Sequence, residues 1–461
     1  MAISTLLIAN RGEIAVRIIR AAKELGLNTV QVYSEADETS LAVQMADEAI
    51  NIGPPSAAKS YLNVESILRA AEATGADAIH PGYGFLAENA DFADAVTDAG
   101  LAFVGPSGDT IRRMGDKAAA RQAAQQANVP TVPGSDGLFD DLNEAALLAE
   151  KIGFPVMIKA TAGGGGRGIR IAENIAEFKE LAPQASTEAK AAFGDGGLYF
   201  EKMIERARHI EVQILGDGCN FVHCYERECS LQRRRQKVWE EAPSSALTDA
   251  ARKELCESAV NLAAAVNYRG AGTIEYLYDD KTGEYYFIEM NTRIQVEHPI
   301  SECITGIDIV GEMIRVALGE TLSVSQEDIE MRGHSIEVRI NAEDPANNFM
   351  PFPGVVGDLK IPGGPGVRFD HFLYEGYQIP PFYDSLLGKL IVHAETREKA
   401  ITRMERAIGE LSVGELKTTA SLFSALANSD DVRKGQVHTK WLEPWLEKNA
   451  EKLKQLKGKN T

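Results

Sequence analysis

Phe287-Ile288-Glu289-Met290-Asn291-Thr292-Arg293-Ile294-Gln295-Val296-Glu297-His298 is the stretch on which the reading of this chain turns. With Tyr285 and Tyr286 before it, its start has the character of a β-strand. An acid, an amide, a cation, an amide and an acid then alternate with other residues. Polar groups packed this densely are costly to bury unless each finds a partner. Residues two apart on an extended chain share a side. Glu289 and Asn291 would therefore present hard oxygen ligands together, of the kind that suits Mg²⁺. Glu275, in the strand Gly272–Leu277, offers a second carboxylate. Arg293, Gln295 and Glu297 repeat the spacing, with a cation and an amide for a small anion and a carboxylate close enough to take a proton. A metal–triphosphate site beside an oxyanion site implies phosphoryl transfer to a carboxylate-like acceptor.

Upstream, Ser230–Val238 carries four cations, Arg233, Arg234, Arg235 and Lys237, and reads as a basic patch aimed at phosphate or bicarbonate. Arg208–Ile214 alternates strictly, so a half-buried strand is expected there. Leu198–Ile204 reads as a strand ending in a polar–apolar joint that could hold a flat heterocycle through its backbone. The lysine strand Phe154–Ala160 is followed by Ala162-Gly163-Gly164-Gly165-Gly166-Arg167-Gly168, a hairpin whose bare N–H groups could wrap phosphates, with Lys159 and Arg167 beside them. No Lys-Ser/Thr pair follows these glycines, so this is not a Walker A loop. Pro130 and Pro133 mark a linker, and Gly115-Asp116-Lys117 opens a helix.

The N-terminal part begins as a βαβ unit, Leu6–Ala9, then Ile14–Ile19, then Thr29–Tyr33. It lacks G-x-G-x-x-G, which removes support for a dinucleotide. His80-Pro81-Gly82-Tyr83-Gly84-Phe85-Leu86-Ala87-Glu88-Asn89 is a rigid turn after a strand, where open α/β sheets place ligand loops. Downstream, Glu337, Arg339 and Asn341 share one face of the strand His334–Glu343. A Pro/Gly-rich stretch, a helix over Glu398–Glu410 and a lysine-rich, frayed C-terminus are expected after it.

The 461 residues are enough for two to four domains, and 44% hydrophobic with 25% charged residues is ordinary for a globular protein. A net charge of -19 argues against nucleic acid as a partner. No apolar run reaches the ~20 residues of a membrane helix. Met1–Thr5 has neither the basic start nor the apolar core of a signal peptide, and the five cysteines lack zinc-site spacing. Reduced thiols and a cytoplasmic location are the expectation.

In order, HPGYGFLAEN, MGDK, the lysine strand with its glycine loop, QRRRQKV, EMNTRIQVEH and EVRINAEDP resemble biotin carboxylase, the ATP-grasp component of biotin-dependent carboxylases, over essentially the whole chain. The resemblance implies an α/β and α+β fold in three parts. These are a nucleotide-fold (preATP-grasp) N-terminal domain over 1–113, an ATP-grasp domain over 114–325 with a lid over about 131–203, and a C-terminal domain over 326–461. It further implies ATP contacts at Lys117, Lys159, His209, Gln232 and Arg235, with Gly165 and Gly166 in the lid. Glu201, Lys202, Met203 and Ile204 would hold adenine, and Glu275, Glu289 and Asn291 would hold Mg²⁺ or Mn²⁺. Lys237, Arg293, Gln295 and Val296 would bind bicarbonate, Glu297 would be the base, Arg339 would face the ureido oxygen of biotin, and Tyr83 would be a further substrate contact. Two positions depart from the family pattern: Arg235 stands where histidine is usual, and Ala162 replaces one loop glycine.

The implied reaction is ATP-driven carboxylation of biotin on a separate carrier protein, the first half-reaction of an acyl-CoA or keto-acid carboxylase such as the one that feeds fatty acid biosynthesis. The chain has no Met-Lys-Met sequence for biotinylation, so carrier and carboxyltransferase are expected as separate polypeptides and the enzyme itself as a homodimer. Two other readings share these residues: an ATP-grasp ligase acting on a different carboxylate, and a non-catalytic scaffold subunit. Labelled bicarbonate entering free biotin separates the first, and bicarbonate-dependent ATP hydrolysis the second.

Overall fold

The computed structural model describes residues 4–135, 137–139, 141–160, 169–193 and 196–456. Strands β1 (Thr5–Ile8), β2 (Asn28–Ser34), β3 (Glu48–Gly53), β4 (Ala78–His80) and β5 (Ala102–Phe103) form a parallel sheet in the order β3-β2-β1-β4-β5. β1 shows why a parallel strand reads as a continuous apolar run. Leu6 and Ile8 enter one core, beneath the helix Gly12–Glu24, while Leu7 between them enters another with Ile67 and Phe92. The strand order reverses between β1 and β4, the switch point where open α/β sheets bind ligands. The turn 81–89 leaves β4 there. Asn10, just after β1, clamps it by donating to the carbonyls of Pro81 (2.6 Å) and Tyr83 (2.8 Å).

A small antiparallel sheet follows, β6 (Val156–Ala160), β7 (Ile169–Ala172) and β8 (Leu198–Lys202), in the order β7-β6-β8. The helices Leu142–Ile152 and Ile175–Phe193 cover one face, burying Ala146, Ile158, Phe178 and Phe200 in a core of their own. On β6 the alternation puts Val156, Ile158 and Ala160 inward, which leaves Lys159 on the other face. The glycine run, with Gly165 and Gly166, lies outside the described residues.

The largest sheet is antiparallel. β9 (Ala207–Asp217), β10 (Phe221–Arg233), β11 (Gln236–Ala242), β12 (Arg269–Asp279), β13 (Tyr285–Asn291) and β14 (His334–Asn341) join Val367–His371 and Leu386–Ala394 in it. Its order is β13-β12-β9-β10-β11-β14, then Leu386–Ala394, then Val367–His371. It therefore continues from the central part of the chain into the C-terminal part through the β11–β14 pairing.

Three expectations need correction. β9 is buried on both faces and not on one. Ile210, Val212 and Ile214 do alternate into a core, but His209, Glu211 and Gln213 are covered too, because β9 is a central strand with the functional cluster lying over its polar face. The stretch holding Pro130 and Pro133 is stitched down by the Phe287 N–H to the Pro130 carbonyl (2.7 Å) and by a bridge between Gly134 and Glu201. Finally, Ala450–Leu456 forms a helix that buries Leu453 in the main core, so the lysine-rich end is not frayed there. No helix among the described residues is long and apolar enough to cross a membrane.

Candidate active site

The β12–β13 register builds the acidic end of the site. Glu275 pairs directly with Glu289, and the register then slips so that Tyr276 faces Phe287, leaving Ile288 as the extra residue of a bulge. The two carboxylates thus meet across one strand pair. Glu275 is buried and accepts from Lys237 (2.8 Å), Asn291 (2.9 Å) and Gln295 (2.8 Å) on one oxygen, while His209 lies 2.8 Å from the other. Burial alone would raise its pKa, but Lys237 and His209 outweigh burial and hold it well below the usual carboxylate range. Glu289 is raised, first by partial enclosure of its carboxyl group and then by Glu275, with Lys117 opposing. Lys117 itself starts the helix Lys117–Gln126, whose N-cap Asp116 accepts from the Ala119 N–H (2.8 Å). Two carboxylates and an amide oxygen are a hard donor set that fits Mg²⁺ or Mn²⁺, and a cation would take over from some of the donors now on Glu275.

Beyond Asn291 the chain bends, so the spacing of two no longer puts Arg293, Gln295 and Glu297 on one side. Arg293 swings to the turn 81–89, donating from Nε to Glu88 (2.9 Å) and from Nη2 back to Asn291 (3.1 Å). Gln295 and Glu297 turn inward, with only 3% and 2% of their surface exposed. Lys237 spends its three N–H groups on three carboxylates: Glu211, Glu275 (2.8 Å) and Glu297 (2.7 Å). Burial by itself would lower this ammonium; Glu211, Glu297 and Glu275 overcome that and keep it charged. Glu297 also accepts from Arg339 Nη2 (2.9 Å). Its burial favours the neutral acid, yet Lys237 and Arg339 hold the carboxyl well below its ordinary value.

Lys237, Val296, Arg339 and Tyr83 share a cavity of ≈ 150 Å³ with Phe349 and Asp384. Tyr83 donates to Glu13, which pairs with the fully buried Lys389 (3.2 Å). Lys389 in turn donates to the Val296 carbonyl (2.9 Å), tying the N-terminal helix and the C-terminal strand to the loop that carries Glu297.

Of the nucleotide candidates, Lys159 and the stretch Glu201 to Ile204 sit on the small sheet and its joint, whereas Lys117 starts a helix and His209 lies on β9. Lys159 pairs with Glu201, and Arg121 approaches the same carboxylate at 3.7 Å. The N–H groups of Lys202 and Met203 already donate to Pro133 (2.8 Å) and Pro155 (2.9 Å), which leaves a heterocycle the carbonyls and Ile204. The basic run does not form one patch. Arg234 and Arg235 are exposed on the β10–β11 turn at positive φ, because a tight turn points its side chains to solvent. Arg233 lies over the Phe349 ring at 3.7 Å, and Gln232 donates to the Cys229 carbonyl (2.9 Å). Only Lys237 enters the cluster of carboxylates.

Sequence reasoning missed Glu88, Glu211, Arg227 and Glu240. Arg227 is fully buried and its guanidinium reaches Glu211, Gln213, Ser301, Thr273 and Gln295. A cation in the middle of a β-rich segment, flanked by Glu226 and Glu228, was the available signal for it.

Three family models cover the chain in succession. The biotin carboxylase N-terminal domain matches residues 2–111. The ATP binding domain of the carbamoyl-phosphate synthase L chain matches 116–325. The biotin carboxylase C-terminal domain matches 337–444. "Biotin carboxylase 1" of Bacillus subtilis (strain 168) is 53% identical over 444 residues, which are 96% of this chain and 99% of that protein. Among solved structures, a biotin carboxylase–βγ-ATP complex from Campylobacter jejuni superposes with a TM-score of 0.87 at 47% identity, covering 96% of this chain and 99% of that one. The biotin carboxylase domain dimer of 2-oxoglutarate carboxylase from Hydrogenobacter thermophilus, in complex with MgADP, ADP and bicarbonate, gives 0.85 at 48% identity, covering 98% and 99%. With its three parts matched in order and its relatives aligned almost end to end, the chain belongs to the biotin carboxylase family.

Proposed function

We infer that this enzyme is an ATP-dependent ligase that carboxylates biotin with bicarbonate through carboxyphosphate, and that its units are 1–113, 114–325 and 326–461. The observation that carries the reading is Glu297, a buried carboxylate held ionised between Lys237 and Arg339 beside a cavity.

Lys237, Arg293, Gln295 and Val296 are the bicarbonate contacts, and Glu297 takes the bicarbonate proton. In the free enzyme its two cations make Glu297 a weak base. An anion drawn to Lys237 occupies part of that positive charge and raises Glu297 toward useful basicity. The oxygen so activated attacks the γ-phosphate of ATP. Lys117, Lys159 and His209 bind the nucleotide, with Glu201 to Ile204 around the base and Gln232 and Arg235 as outer contacts. Glu275, Glu289 and Asn291 are the residues that would hold Mg²⁺ or Mn²⁺, which when bound supplies charge neutralisation during phosphoryl transfer. Carboxyphosphate yields CO₂ and phosphate, and phosphate removes the N1 proton of biotin. Arg339 stabilises the resulting oxyanion with Tyr83 beside it, and N1 then attacks the carbon of CO₂ to form carboxybiotin.

The biotin arrives on a carrier protein, a separate carboxyltransferase consumes the product, and the enzyme works as a cytoplasmic homodimer. A dimer among its structural relatives supports that last point. Purified protein given MgATP and labelled bicarbonate should transfer label to free biotin, and its ATP hydrolysis should require bicarbonate. Label that stays out of biotin while ATP is hydrolysed would transfer the reading to another carboxylate ligase.

A further inference from the structure

Arg339 is divided between two acids on different elements. Its Nε donates to Glu240 on β11 at 2.7 Å, and its Nη2 donates to Glu297 in the loop after β13 at 2.9 Å. Glu240 is fully buried, and so is Glu337, its direct partner across the β11–β14 pair. Glu240 Oε2 and both oxygens of Glu337 meet no hydrogen-bond partner among the described residues. Opposed side chains on such a pair stand ~5 Å apart at Cβ. Two carboxylates that close in a dry setting do not both ionise.

We propose that Glu240 is the positioning residue of Arg339, holding the Nε edge of the guanidinium while the Nη2 edge exchanges Glu297 for the oxyanion formed on biotin. The inference rests on the roles given above to Glu297 and Arg339. When Glu297 accepts the bicarbonate proton it becomes a neutral acid and loses its grip on Nη2. Glu240 is then the anion that still anchors Arg339, so the freed edge keeps its aim on the cavity without a search through arginine rotamers. The same proton transfer that starts the first half-reaction thereby readies the group needed in the second.

Glu337 is the neutral member of the pair. Burial pushes its carboxyl well above the usual range, with Glu240 adding to this and Lys389 opposing. Burial also raises Glu240 to about 7, against the pull of Arg339. The charged and titratable groups around them are Lys237 on β11, Cys229 on β10, Arg339 on β14 and Glu297 in the loop, with Lys389 from the neighbouring strand and Glu13 behind it. Glu240 anchors Arg339 only while ionised. Carboxylation of biotin should therefore weaken, relative to ATP hydrolysis without biotin, as pH falls through about 7.

The experiment measures both activities on the full chain across neutral pH, using free biotin as acceptor, and follows their ratio so that ionisations common to both cancel. In the wild type the ratio should fall on the acid side. Glu240→Gln replaces a charge-assisted hydrogen bond by a neutral one and should lower the ratio about tenfold, with its pH dependence gone. Glu337→Gln, a neutral side chain of the same shape, should keep both ratio and acid limb. A flat wild-type ratio overturns the proposal without any variant having to fold, as does Glu240→Gln with the wild-type ratio and limb. Substantial ATPase in Glu297→Gln would instead show that the underlying assignment fails, whatever Glu240 does.

Discussion

At the scale of single residues, Glu297 and Arg339 are neighbours in space, and the duties proposed for them can be separated by substitution. Glu297→Gln keeps the shape and removes the base, so bicarbonate-dependent ATP hydrolysis should fall by ~10²-fold or more, with ATP binding retained in a calorimetric titration. A variant keeping more than about a tenth of wild-type turnover would remove Glu297 from that role. Arg339→Ser should reduce biotin carboxylation ~10²-fold more than it reduces ATP hydrolysis without biotin; equal losses would make Arg339 a structural residue. His80 offers a test by pH. It is fully buried, its Nδ1 accepts from the Gly82 N–H (3.0 Å), and burial lowers it from 6.5 to about 3, with Arg17 adding. In the unfolded chain His80 takes a proton below about 6.5, but in the folded chain only near 3. Its contribution to stability is therefore whole above 6.5 and is lost as pH falls through that window, at ~1.4 kcal/mol per pH unit. Urea unfolding of wild type and His80→Asn should show the wild-type advantage shrinking over that range. A constant difference would mean that His80 is not held neutral.

At the scale of elements, the turn 81–89 does more than close a strand. It brings Tyr83 to the cavity and Glu88 to Arg293, and it is locked by Asn10. Gly82 has φ +63, and a Cβ there would lie 2.8 Å from Asn10 Nδ2. Gly82→Ala should thus destabilise the protein by ~1–3 kcal/mol through strain and loss of the clamp, and should lower turnover as Tyr83 and Glu88 move. Full stability and activity in that variant would show that the turn tolerates another conformation. The turn's ligand-loop position was legible from its place after β4, whereas its bond to Arg293 was not. The stretch after β13 shows the opposite failure: its spacing was read correctly, but the bend after Asn291 undid the alternation on which a common side depended.

For the whole molecule, the arrangement of cores sets what binding should do. The largest core joins residues of the N-terminal part, such as Leu6 of β1 and Ile14 of the helix Gly12–Glu24, to C-terminal ones such as Leu390 and Phe423. The β6–β8 unit is packed around a core of its own, with Lys159 on its uncovered face. Nucleotide binding would tie this unit to the carboxylates of the large sheet. MgATP at about a hundred times its Kd should then stabilise the protein by ~2.7 kcal/mol, read as a rise in the thermal midpoint. Lys159→Gln should remove most of that rise while leaving the midpoint without nucleotide close to wild type. A rise that survives the substitution would place the phosphates elsewhere.

The sequence by itself determined which chemical groups are present, most of the strands that carry them, the nucleotide-fold opening and the family resemblance. These are local matters, since period, turn residues and motif order depend on neighbours along the chain. Only the tertiary structure decided which groups meet. Lys237 reaches Glu297 across 60 residues and Arg339 reaches it across 42, while Glu240 and Glu337 face each other only because β11 pairs with β14. The bulge at Ile288 and the burial of β9 on both faces belong to the same class. Strand order, register and a single extra residue place side chains from distant segments against one another, and no spacing within a motif encodes those contacts.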